Sequence, residues 1–159
     1  MRAGMDAPMP QTIIPHPSNG TPFFGQIEEK NVRGFLIPAA PIILRRGKAS
    51  RHGGFGVRHI WAWHATEMRT CGYTREDQVA DYVADIVCPG SAVLCEFEIR
   101  RDTRVTVARS AIGVAVLEHK EGRDGICVYS VVTAFAQRNP HGTRVGSIAA
   151  YNPDDWGAL

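Results

Sequence analysis

Ten residues in the C-terminal third, ICVYSVVTAF at positions 126–135, constrain the fold more than any other stretch. β-branched and aromatic side chains fill the run and no Gly or Pro interrupts it, which predicts a strand near the centre of a sheet. On a regular strand Tyr129, Val131, Thr133 and Phe135 would share one face. Other segments supply its neighbours. Residues 92–99 alternate, with Val93, Cys95, Phe97 and Ile99 opposed to Glu96 and Glu98; residues 104–108 and 112–117 add two more strands, and 143–149 an edge. The polar, glycine-bearing stretch 118–125 reads as a hairpin connection. It places His119 in a turn, as residues 137–142 do His141.

Helical periodicity is confined to the middle of the chain. Val57, Ile60, Trp61, His64 and Met68 recur at the spacing of one helix face, and Gly72 ends that helix. Thr74 and Asp77 suggest an N-cap for a second helix, on which Val79, Tyr82, Val83, Ile86 and Val87 form an apolar stripe. Helices that precede an antiparallel sheet define an α+β domain. We expect an extended or disordered, proline-rich lead-in over 1–20, a single domain over 21–150 and a tail over 151–159. Residues 42–44 read as a first strand, placed at an edge because Pro41 lacks a ladder donor.

No apolar run approaches the ~20 residues that span a bilayer, so no membrane association is expected. The first residues carry no apolar core of a signal peptide, which points to a cytoplasmic protein. The four cysteines include no C-x-x-C pair, so structural zinc is not expected. No cofactor is implied.

The chemistry concentrates between residues 48 and 68. A glycine-rich basic approach (Lys48, Arg51, His52) leads into a segment with His59 and His64 separated by Trp61 and Trp63. Arg45, Arg46, Arg58 and Arg69 add charge against the single acid Glu67, the footprint of a phosphate-binding surface. Histidine titrates near neutral pH and can act as base or acid. On an ideal helix, however, residues five apart lie about 140° apart, so His59 and His64 share a site only if the helix is irregular. A metal reading on His52, His59 and His64 lacks the usual ligand spacing.

The Gly56, His59, Ile60, His64 pattern, the acidic second helix and the Val131–Phe135 segment together resemble the barnase–EndoU–colicin–RelE-like nucleases, especially phage and polymorphic-toxin members. The resemblance spans residues 42–149. It implies helices packed on a twisted antiparallel sheet, and metal-independent RNA cleavage with the 2′-hydroxyl as nucleophile. His59 and His64 would be base and acid, Arg51 would hold the phosphate and Thr133 would donate a hydroxyl. Lys48, His52, Trp63 and Tyr129 would bind substrate. Partners would be an RNA, tRNA among the candidates, and an immunity or antitoxin protein. A toxin domain could also be delivered into the cytoplasm of a target cell. The rival expectation is a non-catalytic module of the same fold that binds RNA or protein.

Overall fold

The computed structural model describes residues 9–97, 104–122, 124–137 and 139–156. Five strands precede the first helix: β1 (Ile13–Ile14), β2 (Phe23–Ile27), β3 (Lys30–Val32), β4 (Phe35–Ile37) and β5 (Ala40–Arg45). Helices α1 (Gly56–Thr70) and α2 (Val79–Ile86) follow. Then come β6 (Ala92–Cys95), β7 (Arg104–Arg109), β8 (Gly113–Glu121), β9 (Cys127–Phe135) and β10 (Thr143–Ser147). The α+β class holds, but helices do not come first. The main sheet runs β1-β5-β9-β8-β7-β6-β10, with β2 also paired to β5. All its pairings are antiparallel except β5 with β9.

The 42–44 segment is therefore interior rather than an edge, and all six residues of β5 are buried. Pro41 is tolerated because its partner Gln26 makes no demand for a donor. Gln26 exchanges both backbone hydrogen bonds with Ala149, at 3.0 Å each. Residues 1–8 of the expected lead-in lie outside the described residues, and from Pro10 onward it packs on the domain: Ile13 and Ile14 pair with Arg45 and Leu44, and Pro10 and Thr12 accept from Gly47 and Arg46. The tail docks as well. Gln26, 3% exposed, accepts from Asn152 N and Trp156 Nε1 (both 2.9 Å) and donates to Asp155 Oδ2 (2.7 Å).

The α2 stripe is buried as its periodicity requires, with Val79, Tyr82, Val83, Ile86 and Val87 at most 1% exposed. At about 1.5–3 kcal/mol per buried aliphatic side chain, that stripe fastens the helix to the sheet. A short 3₁₀ turn, Glu76–Gln78, precedes α2, and its cap is Arg75 rather than Thr74. His119 lies within β8, paired with Tyr129, and not in a turn. Ile99 and the turn expected at 100–103 fall outside the described residues.

The register of β9 breaks once. Val116 pairs with Thr133 but Leu117 pairs with Val131, so Val132 is an extra residue, a bulge that reverses the alternation. Tyr129, Val131 and Ala134 consequently form the fully buried apolar series, while Thr133 and Phe135, both only partly buried, share the other phase. The single face expected for Tyr129, Val131, Thr133 and Phe135 is not formed. No helix among the described residues is long and apolar enough to cross a membrane.

Candidate active site

The chain leaves β5 at Arg45 and closes a loop before α1 begins. Lys48 and Phe55 form an isolated bridge, with hydrogen bonds of 3.0 and 3.1 Å between their backbones. Gly47 permits this closure: its φ is +77°, and a Cβ there would lie 1.7 Å from the Phe55 carbonyl oxygen. Gly54 permits a second approach. A Cβ at Gly54 would meet Ser50 O at 2.1 Å and His59 Nδ1 at 2.6 Å, so only a bare backbone can pass over that imidazole. The loop is further tied to the helix by Trp63, whose Nε1 donates to Ala49 O at 2.9 Å. Arg51 lies over the Trp63 ring, 5.9 Å from its centroid.

Helix α1 packs on β9 through Val57, Ile60 and Met68, and His64 occupies the same face register. His64 has φ −131° and ψ 16°, so the helix is broken there without any Pro or Gly. This irregularity answers the angular problem posed by five-residue spacing. The rings of His59 and His64 meet edge to face with centroids 6.4 Å apart. His64 also stacks on Phe135 at 5.3 Å, and His59 lies 6.5 Å from Trp63.

In both imidazoles Nδ1 is shielded from solvent; the Ser50 backbone hydrogen-bonds His59, and Glu67 Oε2 approaches Nδ1 of His64. Desolvation holds His59 below the usual imidazole value; the Ser50 backbone opposes that effect and the neighbouring His64 adds to it. The balance favours the neutral imidazole of His59. Glu67 Oε2 lies 3.6 Å from His64 Nδ1, in position to pair with it once it is protonated, and accepts from Ala136 N at 2.8 Å. Glu67 was not among the residues expected to act; its place three after His64, one helical turn on, was the available signal.

The structure thus brings His59, His64, Trp63 and Arg51 together beside the loop that carries Lys48 and His52, both exposed. Thr133 is two residues before Phe135 on the same strand phase, and its hydroxyl oxygen is shielded without a partner. Tyr129, expected to bind a base, does not belong to the site. It is fully buried, and its hydroxyl donates to Pro38 O at 2.7 Å. His141 is exposed. Arg46, adjoining the loop, has a shielded Nε with no partner and is a further cation the sequence did not single out. Among the described residues, no three His, Cys, Asp or Glu side chains are grouped to hold a metal ion.

No family model matches the chain, and neither curated proteins nor solved structures give a match.

Proposed function

We propose that the chain is a metal-independent endoribonuclease, toxin-like or phage-encoded, that cleaves RNA by 2′-hydroxyl attack. The observation that carries this reading is the pair of imidazoles 6.4 Å apart beside the basic loop, with Nδ1 of each shielded from solvent. His59, held neutral by desolvation, takes the 2′-hydroxyl proton. His64, with Glu67 placed to pair with its protonated form, returns a proton to the leaving 5′-oxygen. Arg51 and Lys48 supply charge to the phosphorane oxygens. Thr133 contributes its hydroxyl, and Trp63, 49% exposed, offers a ring on which a base can stack. The RNA would be met in a cytoplasm, the protein's own or a target cell's, with an immunity protein as the restraining partner.

The test is incubation with single-stranded RNA in chelator, comparing wild type with His59→Ala and His64→Ala. Cleavage by wild type alone supports the proposal; intact RNA throughout removes it. The exposed Trp63 beneath Arg51 also favours a second reading, an RNA-binding module without turnover. That module would bind RNA in a salt-dependent way and keep doing so without either histidine.

A further inference from the structure

A pocket of about 410 Å³ opens on the sheet beside the β8–β9 hairpin, within the size range of small-molecule sites. Neither histidine of the proposed nuclease site lines it, nor do Lys48, Arg51 or Trp63. Its walls include Ile13, Phe23, Ile43, Ile126 and Val128, and Arg45 and Ser130 are set among them.

Arg45 is an unusual residue to find there. It is 8% exposed, its guanidinium rests on the Phe55 ring at 3.9 Å, and its Nε donates to Ser130 Oγ at 2.7 Å. Nη1 donates to the Gln11 side chain. Every one of these partners is neutral. Among the described residues Arg45 makes no ion pair. The carboxylate that acts on it through space is Glu118, which is already paired with Arg104 at 3.5 Å and Lys120 at 3.4 Å. A cation withdrawn from water without its own counter-ion is costly, and burial accordingly pulls Arg45 below the usual guanidinium value. Among the described residues, the other charged groups at the pocket lie on β8 and its hairpin: Lys120, Glu121 and Asp124, all exposed, with Asp124 Oδ1 occupied by Ile126 N.

We propose that this pocket binds a small amphipathic carboxylate, its anionic head against Arg45 and its apolar body along Ile13, Phe23, Ile43 and Val128. The guanidinium fork is already fixed by Ser130 and Gln11, so it is oriented before the ligand arrives. The site is independent of the nuclease reading, because it uses none of that reading's residues.

The experiment is an amide NMR titration of the whole chain with sodium octanoate, set beside octylammonium chloride as a probe of equal chain length and opposite charge. Saturable shifts at Ile43, Val128 and Ser130 with octanoate alone support the site. Arg45→Gln should then weaken octanoate by at least about tenfold, the scale of a charge-assisted contact. Should that variant not fold, Ile126→Glu at the pocket rim, where the residue is 36% exposed, tests the same point. It adds a repelling charge without disturbing Arg45 and should also lose binding. The proposal is overturned by no saturable shift at these amides, by equal shifts with octylammonium, or by unchanged octanoate affinity in the folded variants.

Discussion

Replacing Gly54 with alanine tests whether the loop positions His59, the proposed base. The added methyl would sit 2.1 Å from Ser50 O and 2.6 Å from His59 Nδ1, whereas ordinary contacts begin near 3.4 Å. Relief against a backbone oxygen requires the loop or the ring to move by about 1 Å, and misplacement of that size at a reacting group can cost roughly a hundredfold in rate. The fold should notice much less. Gly54 lies in a surface loop, and overpacking of about 1 kcal/mol lowers the melting temperature of a chain this size by only about 2–4 °C. Gly53→Asn is the control. Nothing lies within 4 Å of a Cβ at Gly53, and asparagine tolerates its φ of +74°. The assay is cleavage of a fluorogenic RNA in chelator, with melting curves and the His59 ring resonances recorded for each variant. The reasoning fails if Gly54→Ala keeps full rate while its His59 resonances move, or if Gly53→Asn loses as much as Gly54→Ala.

Glu67→Gln keeps an acceptor for Ala136 N but removes the charge beside His64; it should lower kcat more than KM and leave stability near wild type. Glu67→Ala should lose the same rate and roughly a further 1 kcal/mol in urea unfolding. Tyr129→Phe removes a buried hydroxyl and leaves Pro38 O without its donor, so about 1–2 kcal/mol of stability should go with no change in RNA affinity. A large affinity loss would restore Tyr129 to the binding surface. His16, His59 and His119 are all held below the ordinary imidazole value, in each case chiefly by desolvation. The unfolded chain then binds more protons than the folded one as pH falls through its value of about 6.5, so stability should decline from pH 7.5 to 5.5. Urea midpoints that stay level or rise over that interval would contradict those environments.

The parts of the fold legible in the sequence are those that a local period decides. The α2 stripe is one, since each of its positions needs only a helix and a sheet to be buried. The β9 run is another, and 143–147 forms the edge strand β10 beside β6. What escaped depends on partners distant in sequence. Pro41 reads as an edge residue until Ala149 takes both backbone bonds of its neighbour Gln26. Gln26 itself, polar within FFGQI, is buried because Asn152, Asp155 and Trp156 satisfy its amide. The Val132 bulge leaves no signature in a run of β-branched residues, so the strand phase at Thr133 could not be read. At the site, His59 and His64 could be nominated from residue type and position. Their approach depended on a helix break at His64 that no Pro or Gly announces. Glu67 was visible as the single acid in a basic stretch and by its place three residues after His64.

If two imidazoles drive 2′-hydroxyl attack without a metal, the ends of the cut RNA carry the record of it. Mass spectrometry of products formed in chelator should show 2′,3′-cyclic phosphate termini with wild type and none with His59→Ala or His64→Ala. Undigested RNA, or 3′-hydroxyl ends that appear only when a divalent cation is restored, would contradict it.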